Sequence, residues 1–172
     1  MASSRLVAVV ALAGCLFGPG RAFAADLVWW EAERTEQTNF PRESPFAAST
    51  FEPKRDLLSG GDWISIGAPR SGQVAFAKYT VSVPAGGRFQ FWVRKFWKHG
   101  PFRWRFDQQP WRICPFDVAL ADEVTIRTHL GANWVHLGEV EVGSGDRSFE
   151  LELLAGEGET QTAAFDCFLL ID

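Results

Sequence analysis

Two groups of residues in this chain have types and spacings that can do chemistry. The first is acidic. Glu31 and Glu33 stand two apart near the start of the chain, and Asp166 interrupts an apolar run near its end. A carboxylate inside an apolar strand is costly in its charged form, so Asp166 requires a partner. If the first and last strands lie side by side, Glu31, Glu33 and Asp166 with nearby carbonyls make an all-oxygen site, which suits calcium and not zinc. The alternative is that Asp166 caps backbone amides at a strand end while both glutamates are solvated.

The second group runs from Arg88 to Arg112, where seven Lys or Arg accompany a single acid, Asp107, and rings recur every second or third residue. The whole chain carries a net charge of −4. A local basic excess on an acidic chain points to an anionic or hydrogen-bonding partner at this place and away from general nucleic-acid binding. Flat rings stack on the C–H faces of sugars while long polar side chains take the hydroxyls, so Trp97, His99, Arg103, Arg105 and Trp111 are the candidate carbohydrate-binding residues. Arg94 and Lys98 add cations that would favour a uronic-acid or sulfated glycan. Trp104 shares a face with Phe102 and Phe106 and belongs to the core, and Trp29, Trp30, Trp63, Trp92 and Trp134 are assigned to the core or its rim.

The remaining chemistry excludes more than it suggests. His99, His129 and His136 are too scattered for a metal motif, and neither a Gly-x-Ser-x-Gly elbow nor a phosphate loop is present. Asp122-Glu123 and the Glu139, Glu141 pair read as surface charge, and nothing in the sequence locates the two carboxyls across a cleft that a glycosidase needs. The reading is therefore non-catalytic.

The elements that must position these residues are strands. Leu27–Glu33 puts Trp30 and Ala32 on one face and Trp29, Glu31 and Glu33 on the other. Residues 63–66, 73–83, 88–94, 102–107, 123–128, 134–142, 147–154 and 163–171 alternate or form short apolar runs, with Gly and Pro between them. Residues 34–58 read as a long surface connection with no element, and residues 113–122 as irregular, since Pro115 excludes a central strand. Eight or so short strands and no sustained helical period predict an all-β, antiparallel β-sandwich of the jelly-roll kind in a single domain, residues 25–172.

Residues 1–24 have the form of a signal peptide: Arg5, an apolar middle from Leu6 to Phe17, and Ala22-Phe23-Ala24 as a cleavage site. The rival is a lipoprotein signal, Leu12-Ala13-Gly14-Cys15, with Cys15 acylated at the cell envelope. Either predicts export, secreted or periplasmic, and no later stretch is apolar and long enough to span a bilayer. Cys114 and Cys167 are open to a disulfide or to two buried thiols.

Three segments together resemble the frame of family 6 and family 35 carbohydrate-binding modules, galactose-binding-like jelly rolls of secreted glycoside-active enzymes. They are the opening Glu31-Ala-Glu33, the run from Tyr79 to Arg94, and the closing Phe165-Asp-Cys-Phe-Leu-Leu170. The resemblance implies a structural calcium held with help from Glu31, Glu33 and Asp166. It also implies a glycan or polysaccharide ligand on loops at one end of the sandwich, and association with a secreted enzyme. Gln108-Gln109 departs from the pattern where a glycine-bearing turn is usual. The rival function is a cell-surface or complex-assembly domain that docks a protein through a broad flat apolar patch.

Overall fold

The computed structural model describes residues 27–172, so both signal readings, Cys15 included, lie outside the described residues. Among the described residues, eleven strands form two antiparallel sheets. The larger has the order β1 (Leu27–Glu31), β11 (Thr160–Ile171), β5 (Gly87–Phe96), β9 (Leu130–Val142), β8 (Ala121–Arg127), and β3 (Ile64–Pro69) pairs with the first half of β11. The smaller has the order β2 (Gln37–Thr38), β4 (Phe76–Val83), β10 (Gly145–Leu153), β6 (Phe102–Phe106), β7 (Arg112–Cys114). The chain is a jelly-roll β-sandwich, as the strand pattern predicts.

Period-two alternation sets the core. Phe102, Trp104 and Phe106 of β6, Phe149, Leu151 and Leu153 of β10, and Phe89, Phe91 and Val93 of β5 all face inward and are buried. Trp30 of β1 closes the stack: its ring lies along Phe168 at 5.1 Å and Phe91 at 5.8 Å, with Phe149 edge-on at 5.4 Å. Tyr79 on β4 reaches across the sandwich to donate its hydroxyl to the Ala32 carbonyl at 2.9 Å, tying the smaller sheet to the end of β1.

The sequence reading departs from the fold in one important segment. Residues 34–58 are not a plain surface connection. They carry β2, then 3-10 turns at Ala48–Phe51 and Lys54–Leu57, and a third follows at Ser59–Gly61. Phe51 and Leu58 join Trp63, Phe96, Ile126, Leu130 and Ala164 in a second apolar cluster, on the outer side of the larger sheet. Each large aliphatic or phenylalanine side chain buried there contributes roughly 1.5–3 kcal/mol relative to exposure. Single apolar residues spaced among prolines show no period, which is why the pattern hid this layer. A short β7 also forms at Arg112–Cys114, just before Pro115, an edge position where the proline does no harm. Cys114 and Cys167 are both buried free thiols and do not pair.

Candidate functional site

The chain termini of the described fold meet as antiparallel neighbours: Glu31 is the cross-strand partner of Cys167. A bulge after Phe165 turns Asp166 out of the ladder to β5. Its carboxylate, 0% exposed, accepts from the Arg94 guanidinium at 2.9 Å and from the Ser59 amide at 3.0 Å. Glu31 Oε1 accepts from the Ser59 hydroxyl at 2.8 Å and the Trp29 indole at 3.0 Å. The turn at Gly60, with φ of 62°, sits against both glutamates: a Cβ there would come within 3.0 Å of Glu33 Oε1 and 3.7 Å of Glu31 Cδ. Glu31, Glu33 and Asp166 thus gather around Ser59–Gly61, with Arg94 as the cation paired to Asp166.

The electrostatics follow from that count. Burial pushes the Asp166 carboxyl up to about 7, against the pull of Arg94 and the Ser59 amide and with help from Glu31 and Glu33. Glu33 is also raised, first by burial and then by Glu31 and Asp62. The second oxygens of Glu31 and Glu33, both Oε2, are buried with no hydrogen-bond partner. The two donor atoms free to meet a cation therefore come from the glutamates, while both Asp166 oxygens are engaged. Among the described residues, no three His, Cys, Asp or Glu side chains converge as a ready-made metal site.

The five carbohydrate-binding candidates separate into two places. Arg103 and Arg105 stand on the outer face of the smaller sheet, each guanidinium over the Trp111 ring, at 4.5 and 4.4 Å from its centre. Both are also paired with the strand opposite, Arg103 with Glu152 at 2.5 Å and Arg105 with Glu150 at 2.8 Å. This ladder satisfies its own charges. Glu150 is raised by burial, yet Arg105 and Lys78 outweigh that and hold it below the ordinary carboxylate range.

Trp97 and His99 lie elsewhere, on the tight turn between β5 and β6, with rings 6.3 Å apart and nearly parallel at 27°. They open onto a groove made of two adjoining cavities that share His99 and Phe116. One, of about 390 Å3, is walled by Trp97, Lys98, Leu120 and Glu123. The other, of about 260 Å3, continues past Pro101 and Leu154 toward Glu159, Thr160 and Thr162. Phe116 stands 55% exposed, edge-on to His99 at 6.3 Å. Sequence reasoning missed it, although a lone phenylalanine between Pro115 and Asp117 in a polar loop was a readable signal. Lys98 is drawn to Asp117 at 2.5 Å, and Arg94 is held by Asp166 and the Leu57 carbonyl, so the two cations expected to select an anionic glycan are both paired.

A further aromatic surface lies on the uncovered part of the larger sheet's outer face. Trp29 is 41% exposed there and meets Trp134 edge-on at 5.6 Å, and Trp92 packs on His136 at 4.6 Å.

The architecture has known counterparts. A family 35 carbohydrate-binding module from Cellvibrio japonicus Abf62 superposes with a TM-score of 0.52 and 8% identity, over 85% of this chain and 93% of that module. A family 35 module from Clostridium thermocellum does so with a TM-score of 0.50 and 12% identity, over 84% and 98%. The GH26-CBM35 β-(1,4)-mannanase of Podospora anserina aligns over 86% of this chain with a TM-score of 0.51 and 10% identity, and this chain spans only 28% of its length. No protein-family model and no curated protein sequence matches the chain. The fold is thus that of the family 35 carbohydrate-binding modules, in agreement with the resemblance carried by the Glu31, Tyr79–Arg94 and Phe165–Leu170 segments.

Proposed function

We propose that this protein is a non-catalytic carbohydrate-binding module, exported and acting beside a glycoside-active enzyme, that holds a saccharide in the groove around His99. The observation that carries this reading is the pair of adjoining cavities, sharing His99 and Phe116, in which Trp97, His99 and Phe116 present ring surface beside Glu123, Glu159 and Thr160. Rings bordered by hydroxyl and carboxylate acceptors suit a neutral, hydroxyl-rich ligand. Because Lys98 and Arg94 are already paired, the reading favours neutral oligosaccharides over uronic-acid or sulfated ones. Isothermal titration with a panel of neutral and acidic oligosaccharides tests it. Heat with at least one neutral member is expected, and silence across the panel removes the function.

The proposal includes one structural calcium ion, with Glu31 and Glu33 as its side-chain ligands. Their buried, unpartnered Oε2 atoms support this, since a hard cation is the partner such oxygens lack. Asp166 then acts from behind, fixing the Ser59–Gly61 turn through the Ser59 amide. At calcium about a hundredfold above its dissociation constant the gain is about 2.7 kcal/mol. Chelation is expected to lower the melting temperature by several degrees near pH 7. Acid removes the dependence. In the calcium-free protein Asp166 and Glu33 have raised carboxyls, so their charged forms cost stability above their folded pKa values, and that cost is relieved as pH falls toward their unfolded ones. A melt indifferent to chelator at both pH values leaves the carboxylates as plain structure.

A protein-docking reading keeps one supporting observation, the exposed Leu27 and Trp29 on the larger sheet. Loss of glycan binding on mutation of Trp97, with Trp29 variants unaffected, would set it aside.

A further inference from the structure

The groove stands on an unusual support. Lys95, the last inward residue of β5 before Phe96, is 1% exposed and points between the sheets. Its ammonium donates to the Trp97 carbonyl at 2.9 Å and to the His99 carbonyl. Both carbonyls turn back toward that buried ammonium, and a buried cation needs acceptors of this kind. The turn that carries them is strained: Trp97 has φ of 38°, sparsely populated for a bulky residue, and Gly100 has φ of 65°. Gly100 also lies so close to Ala163 that a Cβ would overlap it. Strained backbone persists only where its surroundings over-determine it, and here a buried cation bonded to two carbonyls stands beside the His99 amide bond to the Phe96 carbonyl and the packing of Trp97 on the second apolar cluster.

Resting on the proposed groove, we infer that Lys95 is the positioning residue of the saccharide site, holding Trp97 and His99 in their presented conformation through charge-assisted bonds to their carbonyls. It touches no ligand itself. The titratable groups that face it are Cys114 on β7 and His99 in its own turn, and its lateral neighbours Asn133 on β9 and Phe165 on β11 carry no charge. Burial brings the lysine down to about 8, with Cys114 acting the other way, and lifts the Cys114 thiol, so near pH 7 the pair is ammonium and neutral thiol. Above about pH 8 the amine keeps N–H groups but loses the charge that makes its bonds strong. The grip on the turn therefore weakens in mild alkali while the sandwich stays folded.

The test needs no saccharide. Backbone NMR order parameters for residues 96–101 are measured at about pH 7 and about pH 9.5 in the wild type and in Lys95→Met. Near pH 7 the wild-type turn is expected at the rigid-backbone value of about 0.85, falling toward about 0.6 at the higher pH, whereas strands β4 and β10 do not change. Lys95→Met is expected to be loose at both. Equal rigidity of the turn at both pH values in the wild type overturns the inference. Rigid behaviour of folded Lys95→Met does so as well, leaving Lys95 as space-filling. If Lys95→Met fails to fold, Lys95→Gln, which keeps N–H donors but no charge, takes its place, and a turn as rigid as the wild type at about pH 7 in that variant overturns the inference. A module that binds no oligosaccharide can still pass, and one that binds can still fail, so this result and that of the function stand apart.

Discussion

The outer ladder and the β5–β6 groove are cut from the same aromatic and basic stretch, Arg88–Arg112, yet the fold leaves their side chains in opposite situations. In the ladder every long side chain finds a partner within the fold: Arg103, Arg105 and Lys78, Glu150 and Glu152, and Trp111 are all paired with one another. In the groove the rings of Trp97, His99 and Phe116 border open space, and their polar neighbours Glu159 and Thr160 are exposed. Residue type is therefore a poor guide to which groups stay available on this sandwich. What matters is whether the cross-strand neighbour has already taken the group's hydrogen bonds and ring face.

Substitutions in the two regions should separate binding from stability. The largest expected effect is in the groove: Trp97→Ala should cost tenfold or more in oligosaccharide affinity, roughly 1.4 kcal/mol and upward, read by titration. Unaltered affinity would move the ligand away from the groove. Next comes the ladder: replacing Arg103 and Arg105 together by Ala should cost about 1–2 kcal/mol in chemical denaturation, given partly exposed pairs with a shared ring, and leave affinity within twofold. A matched fall in affinity would show that the ladder binds ligand after all. Trp111→Ala should cost less, about 1 kcal/mol, because it removes the ring and keeps the ion pairs.

The smallest effect is with pH. Glu150 has a depressed carboxyl, so its contribution is present above about 4.5 and fades as pH falls through its lower folded value. His99 is depressed by burial and by the Lys95 charge, and stays neutral down to below its ordinary 6.5. Between about pH 7 and pH 5 the ladder should be indifferent, whereas groove affinity should begin to change only as His99 takes up a proton. Melting and titration at matched pH values check both halves.

Some of this was legible beforehand. Strand alternation located the sandwich and its core, because period two is a local property of the backbone that burial makes visible. The pairing of the first and last strands was legible too, through an aspartate with no reason to sit in an apolar run unless something met it there. The folded-over segment 34–58 was not legible, since Phe51 and Leu58 are isolated in sequence and are brought together only by 3-10 turns over the larger sheet. The candidate site was half readable: Trp97 and His99 are two residues apart in the chain, but Phe116 comes to them from the loop after β7 and Thr160 from the start of β11.

The sequence by itself determined which side chains face inward, and hence the two-sheet class and the encounter of Glu31 with the Asp166 strand. Tertiary structure alone decided which polar groups remain free. Arg103 and Arg105 are spent on the glutamates of a neighbouring strand forty-odd residues away, Asp166 is spent on Arg94, and the glutamates are left with unpartnered oxygens. Register across a sheet is a long-range choice that no local pattern encodes, and it is register that assigns each charge its partner.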